Sequence, residues 1–167
     1  GQNRMGKATD GFTKIQKLLS KNLEIAMSKN TMEGIADIVV NNIRTRALIG
    51  KGVKGDKQYT FDRLSDKYID QRKRYNYNLS PETSATQKKS NATATGQMLN
   101  SISKQVSAGF FRIFFKGNRG KELDGKRRGL SNEYVADKFQ EKRPFFNVTK
   151  ADINEIKRYV RSLILKK

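Results

Sequence analysis

The chain has 167 residues, with 35 Lys and Arg against 16 Asp and Glu, so its formal net charge is +19. It contains no Cys, His or Trp, which excludes disulfides, thiolate chemistry, imidazole acid–base catalysis and most zinc or copper sites. A chain of this length suits one domain, and its positive charge needs a counter-charge from nucleic acid, an acidic protein surface or an anionic membrane.

The first 48 residues contain two amphipathic segments. Residues 1–30 are predicted to form an N-terminal arm that starts polar and then becomes amphipathic. From Thr31 to Leu48 the apolar residues recur at helical spacing, which predicts a helix capped by Asn30 or Thr31, with Glu33 in its first turn. The longest apolar stretch, 35–40, is far too short to span a membrane, so we expect no membrane partner.

The middle of the chain is predicted to alternate loops and one helix. Residues 50–59 indicate a Gly/Lys loop, and apolar residues from Phe61 onward indicate a helix over 61–75. Residues 76–94 are rich in Asn, Ser, Thr and Lys, which predicts a long exposed loop that is mobile unless bound. A second exposed basic loop is predicted over 117–129.

The rest of the chain predicts a mixed α and β structure. Residues 95–102 indicate a short turn or helix, and the aromatic and branched residues of 103–116 indicate a β region broken into a hairpin at 107–109. Helices are predicted over 131–141 and after Thr149, which has capping-box spacing to Asp152. We therefore predict an α+β fold in a single domain, residues 31–167, with a small antiparallel sheet packed by helices and long exposed basic loops.

Two sequence patterns are candidates for chemistry, and neither leads to an assignment. Residues 50–55 match G-x-G-x-x-G, but a predicted helix precedes them where the dinucleotide motif needs a strand, so a flexible loop is favoured. Asp62, Asp66 and Asp70 would share a helix face and could hold Mg²⁺ in a nuclease. Interleaved Arg and Lys favour an exposed mixed-charge surface instead. We expect a non-enzymatic protein with no catalytic residue, cofactor or metal.

Basic and aromatic residues also alternate in a way that is compatible with nucleic-acid binding. The basic residues of 63–89 and 112–143 could form a phosphate-binding surface, and nearby Tyr side chains could stack on bases. No helix-turn-helix, zinc-finger or RNA-recognition signature is visible, which argues against sequence-specific reading. A non-enzymatic nucleic-acid-binding protein, associated with the ribosome or the nucleoid, is therefore an alternative function.

Three short motifs in order resemble a known family. They are Gly50-Lys51-Gly52-Val53-Lys54-Gly55 followed by Phe61-Asp62-Arg63-Leu64-Ser65-Asp66-Lys67-Tyr68, then Thr95-Gly96-Gln97-Met98-Leu99-Asn100-Ser101-Ile102, then Arg143-Pro144-Phe145-Phe146 before a last helix. This order resembles the tailed-phage virion-morphogenesis proteins, the small tail-completion or neck proteins. The resemblance covers about residues 31–167.

The resemblance implies a structural virion protein. Such a subunit forms part of an oligomeric ring, with six or twelve copies favoured, that joins the DNA-filled head to the tail. Its partners would be head–tail connector or adaptor proteins and tail proteins, with nonspecific DNA contact as a further option. It would be located in the virion neck or tail, and in the host cytoplasm during assembly.

The resemblance also divides the candidate residues into two groups. Residues expected to contact other subunits or partners are Lys51, Lys54, Phe61, Tyr68, Phe111, Phe115, Arg127 and Arg128. Residues expected to shape the structural motifs are Gly50, Gly52, Gly55, Thr95, Gly96, Arg143, Pro144, Phe145 and Thr149.

Overall fold

The computed structural model describes residues 28–74, 97–118 and 130–165. These form five helices and four strands, in an α+β arrangement that confirms the predicted fold class. The elements are α1 (Lys29–Leu48), β1 (Lys51–Lys54), β2 (Lys57–Thr60), α2 (Asp66–Arg74), α3 (Gln97–Asn100), β3 (Ile102–Ser107), β4 (Phe110–Phe115), α4 (Asn132–Lys142) and α5 (Lys150–Leu165).

Helix α1 is the centre of the core. It begins at Lys29, two residues before the predicted boundary, because Ser28 caps it: the Ser28 hydroxyl accepts from the Thr31 N–H at 3.2 Å. The predicted caps, Asn30 and Thr31, are therefore wrong, and Glu33 lies beyond the first turn. The apolar stripe of α1 packs against both hairpin β3–β4 and α5. Its buried apolar members are Met32, Ile35, Ala36, Val39, Ile43 and Ala47.

The predicted single small sheet is replaced by two separate antiparallel hairpins, β1–β2 and β3–β4. Hairpin β3–β4 confirms the predicted β region and its turn, where Gly109 has a φ of 73°. The face of this hairpin that carries Ile102, Val106 and Phe115 packs on the core. On that face the Lys104 ammonium donates to the Glu33 and Asp37 carboxylates of α1. The hydrogen bond to Asp37 is the largest cause of the raised pKa of Lys104.

Hairpin β1–β2 corrects the prediction of a loop over 50–59. Lys51 pairs with Thr60 and Lys54 with Lys57, and the turn between the strands has Gly55 at a φ of 64°. The Phe61 N–H then donates to the Gly50 carbonyl at 2.9 Å, which extends the hairpin by one bond. The loop prediction fails because glycine and lysine have low strand propensity, and these strands are stabilised by contacts from distant residues.

Helix α2 begins at Asp66, five residues later than predicted. The Ser65 hydroxyl accepts from the Tyr68 N–H at 3.2 Å and caps the helix at that point. Asp62 therefore lies outside α2 and cannot continue a helical row through Asp66 and Asp70. The shared helix face that was the basis of the Mg²⁺ hypothesis is absent.

The last two helices begin where the sequence predicts. Ser131 caps α4 by accepting from the Tyr134 N–H at 3.0 Å. At the start of α5 the Thr149 N–H donates to Asp152 at 2.9 Å and the Asp152 N–H donates to Thr149 at 3.1 Å. This reciprocal pair confirms the capping box, with Asp in place of the usual Glu.

Phenylalanine rings connect the second half of the core. Phe139 of α4 lies 5.5 Å from Phe61 and 5.3 Å from Phe145, measured between ring centroids. Phe115 of β4 lies 5.2 Å from Phe146. The rings meet edge-to-face or tilted, the geometries that aromatic pairs prefer. They tie the segment Arg143–Phe146 to α4, β4 and the end of hairpin β1–β2.

Candidate partner-binding site

Two of the three motifs contact each other at hairpin β1–β2. The Val53 N–H donates to the Pro144 carbonyl at 3.0 Å, and the Lys150 N–H donates to the Asp56 carbonyl at 3.1 Å. The Asn147 side-chain amide donates to the Gly55 carbonyl at 3.3 Å. The Gly-rich hairpin is therefore held against the segment that leads from the Arg-Pro-Phe-Phe motif into α5.

Gly52 allows this contact to form. A Cβ atom at Gly52 would lie 2.2 Å from the Pro144 carbonyl oxygen, 2.5 Å from the Phe61 ring and 2.6 Å from the Tyr59 ring. No side chain fits at that distance from a backbone atom. The glycine of this motif thus serves close backbone packing, and not the binding of a nucleotide phosphate.

The described part of the third motif also packs into the core. Met98 and Leu99 of α3 are buried, and Ser101 bonds to the Met98 carbonyl at 2.7 Å. From α1 the Arg44 side chain donates to the Leu99 carbonyl at 3.3 Å. Thr95 and Gly96 lie outside the described residues.

Lys51 and Lys54, predicted as partner contacts, lie on the surface of hairpin β1–β2. The Lys51 ammonium donates to the Thr60 hydroxyl at 2.7 Å. The Lys54 ammonium lies 4.5 Å from the centroid of the Tyr59 ring, within range of a cation–π interaction. Both cations are accessible and partly oriented by their neighbours.

The structure places the predicted aromatic contacts differently. Phe61 is 4% exposed and Phe115 is 7% exposed, so both are core residues with almost no surface for a partner. Phe111 packs against the core from a half-buried position, and Tyr68 is half-buried on α2. Phe110 is instead 46% exposed, on the opposite face of β4 from Phe111. Residues alternate faces along a strand, so this difference follows from the register of β4.

The outer face of hairpin β3–β4 is an aromatic and cationic surface. Phe110 is followed on this face by Arg112 and Phe114, and the Arg112 guanidinium lies 4.9 Å from the Phe114 ring centroid. Aromatic residues and Arg are enriched in protein interfaces. Arg127 and Arg128, also predicted as contacts, lie outside the described residues, as do the predicted loop 76–94 and most of the loop 117–129.

A buried ion pair that the sequence did not predict joins α1 to α5. The Arg46 guanidinium lies 2.8 Å from the Asp152 carboxylate and also donates to the Asn147 carbonyl at 2.9 Å. Asn42 donates to the other Asp152 oxygen at 3.0 Å. Arg46 lies three residues after Ile43 and seven after Val39, on the apolar stripe of α1. A charged residue on a buried stripe needs a partner of opposite charge, and this was the available signal.

Tyr59, on hairpin β1–β2, has a buried hydroxyl and a raised pKa. Its hydroxyl is buried and has no hydrogen-bond partner within the described part of the chain. Burial, followed by the negative charge of Asp62, raises its pKa to about 12, while Arg143 acts in the opposite direction. Ionising this phenol in the folded state is therefore unfavourable.

Tyr59 is expected to ionise at a higher pH than an unperturbed tyrosine. Its folded pKa lies above the unfolded value of 10.0, so the stabilisation is fully present below pH 10 and is lost as the pH rises toward 12. Spectrophotometric titration of tyrosinate should show a late component that Tyr59→Phe removes. Denaturant unfolding should show a smaller alkaline loss of stability in that variant. An unchanged titration curve in Tyr59→Phe would contradict the assignment.

No metal-binding group is found within residues 28–74, 97–118 and 130–165: no three Asp or Glu side chains converge there. None of the helices described is both long and apolar enough to cross a membrane. Comparisons of the chain with protein-family models, with curated proteins and with solved structures find no match. The candidate binding site is the surface of the two hairpins, which presents Lys54, Phe110 and Arg112 to solvent.

Proposed function

We propose that this protein is a structural subunit of a tailed-phage virion, a neck or tail-completion protein that helps to join the DNA-filled head to the tail. The observation that carries the proposal is the packing of its motifs. Three hydrogen bonds join residues 53–56 to residues 144–150, and Met98 and Leu99 lie in the same core. Short motifs in family order that also pack together are less easily explained as coincidence.

The roles of the motif residues fit a binding protein better than an enzyme. Gly52 permits backbone contact, Phe145 is fully buried among aromatic rings, and Thr149 caps α5. These residues build a scaffold, while the half-buried Lys51 and the exposed Lys54 lie on its surface. A rigid scaffold that presents cationic and aromatic side chains at its surface is typical of an assembly subunit.

The outer face of hairpin β3–β4 is the proposed contact with a neighbouring subunit or partner. It presents Phe110 and Arg112 to solvent in the isolated chain. Partly buried aromatic and Arg residues contribute most of the binding energy in many interfaces. On this proposal the chain forms a ring of six or twelve copies that contacts connector or adaptor proteins on one side and tail proteins on the other.

The proposal is tested in the phage that encodes the protein. A phage lacking the gene should produce separate filled heads and tails, and wild-type protein supplied in trans should restore joined particles. Cross-linking mass spectrometry of purified virions should connect Lys51 or Lys54 to connector or tail proteins. Absence of the protein from purified virions, or normal particles without the gene, would overturn the proposal.

A matched pair of variants tests the proposed contact face. Phe110 is 46% exposed on β4, and Tyr134 is 48% exposed on α4. Phe110→Asp should abolish restoration by placing a charge in an interface, whereas Tyr134→Asp should restore joined particles at near wild-type level. Equal effects of the two substitutions would contradict the proposal that hairpin β3–β4 forms the interface.

A further inference from the structure

The outer face of α5 carries a row of basic side chains, here called the α5 stripe: Lys150, Lys157, Arg158 and Arg161. Lys150, Lys157 and Arg161 are spaced by seven and four residues, so they share one helix face, with Arg158 beside them. All four are exposed. From Lys150 to Arg161, eleven steps along the helix, the stripe extends about 16 Å.

The α5 stripe contains no acidic or large apolar residue. The exposed residues between its members are Ala151 and Asn154, and the nearby Glu155 accepts from the Asn42 amide at 2.8 Å. No ion pair joins the stripe to any residue in the ranges that the structure describes. The fold therefore gains little from these cations.

Hairpin β1–β2 continues the stripe at its N-terminal end. The Lys150 N–H donates to the carbonyl of Asp56 at 3.1 Å, which places the hairpin turn, with the exposed Lys54 and Lys57 on either side of it, beside the start of α5. Lys54 and Lys57 lie directly opposite each other across the two strands, and like charges in that position are destabilising. This local cost is offset if an anion lies over both.

We infer that the α5 stripe, together with Lys54 and Lys57, binds the phosphate backbone of duplex DNA. The inference rests on charge complementarity, because a row of cations on one helix face matches a regular row of phosphates. Protein interfaces have an apolar core, which this face lacks, so an acidic protein fits less well. Single strands are bound through exposed aromatic rings, which are also absent from the stripe.

The helical shape of the stripe favours DNA over duplex RNA. An α-helix that lies in the major groove of B-form DNA brings its basic side chains close to the phosphates that border the groove, whereas the major groove of A-form RNA is too narrow for side chains to enter. Binding through phosphates alone is independent of base sequence. The inference does not rest on the proposed virion role, since a neck subunit and any other DNA-contacting protein would use the same surface.

The test compares two triple variants of the full chain that remove equal charge. The stripe variant is Lys150→Gln, Lys157→Gln, Arg161→Gln, and the control is Lys29→Gln, Lys67→Gln, Lys116→Gln, at exposed positions on other parts of the fold. Affinity for a short random-sequence DNA duplex is measured by fluorescence anisotropy over a series of salt concentrations. Thermal melting of both variants checks that they fold.

The expected result is a reduced salt dependence in the stripe variant. Loss of three phosphate contacts lowers the slope of log affinity against log salt by about 2.7, and the control keeps the wild-type slope. Raising the salt from about 50 to about 200 mM should then weaken the control about 40-fold more than the stripe variant. In the single Lys157→Gln variant the slope of log affinity against log salt should fall by about 0.9. This variant tests the same inference if the triple variant misfolds.

Three results would overturn the inference. Equal slopes of log affinity against log salt in the stripe and control variants would show that DNA binding depends on the overall charge of the protein and not on the α5 stripe. Stronger binding to duplex RNA than to duplex DNA would exclude the major groove of B-form DNA as the place where the stripe binds. Displacement of the DNA by an acidic polypeptide at equal charge concentration, with the same dependence on the stripe, would identify an acidic protein surface as the partner.

Discussion

Replacing Gly52 with Ala is expected to destabilise the protein by about 3 kcal/mol, the upper part of the usual range for overpacking. The new Cβ would lie 2.2 Å from the Pro144 carbonyl oxygen, a backbone atom that is itself bonded to the Val53 N–H. Relief of the clash requires the hairpin to move away from the segment before α5. Denaturant unfolding, followed by circular dichroism, measures the change.

Gly55→Ala is the matched control in the same hairpin. A Cβ at Gly55 meets no atom within 4 Å, but the φ of 64° is unfavourable for a side chain. The expected loss is about 1 kcal/mol, from backbone strain alone. A loss at Gly52 no larger than the loss at Gly55 would show that the hairpin does not pack on Pro144 as described.

Arg46→Ala is expected to cost about 4 kcal/mol, the range measured when one partner of a buried ion pair is removed. The substitution leaves the Asp152 carboxylate, of which 7% of the side chain is exposed, without its cation. It also leaves the Asn147 carbonyl without the donor that now lies at 2.9 Å. Equilibrium unfolding in urea would measure the loss.

Arg63→Ala is the control for Arg46→Ala, because it removes an ion pair of equal length that is exposed instead of buried. The Arg63–Asp66 pair has the same 2.8 Å separation as the buried pair, but its side chains are 55% and 81% exposed. Exposed pairs contribute between zero and about 1 kcal/mol, so this variant should be nearly as stable as the parent. Similar losses in the two variants would contradict the structural role assigned to Arg46.

The sequence predicts the elements whose signals are local. Helix α1 has a continuous apolar stripe, α4 and α5 have capping residues at their starts, and hairpin β3–β4 has a dense aromatic and branched run. Each signal depends on residues close together in the chain. The errors at the start of α1 and α2 arise because Ser28 and Ser65 compete successfully with nearby polar residues for the capping position.

Features that depend on distant residues could not be predicted in this way. Hairpin β1–β2 has weak strand formers and is held by Pro144, Asn147 and Lys150, about 90 residues later. The burial of Phe61 and Phe115 depends on which face each presents after the chain has folded. In the candidate site, Lys51 and Lys54 were predicted from the family resemblance, whereas the α5 stripe needed the exposed face of α5 to be known.

The bonds between hairpin β1–β2 and residues 144–150 also set the order of events during synthesis. The ribosome synthesises the hairpin long before residues 144–150, to which the hairpin is hydrogen-bonded. The apolar stripe of α1 likewise stays uncovered until α5 has been synthesised. The nascent chain is therefore expected to need protection by chaperones until α5 has emerged. Premature stop codons before residue 150 should yield chains that proteases remove, and not subunits with partial activity.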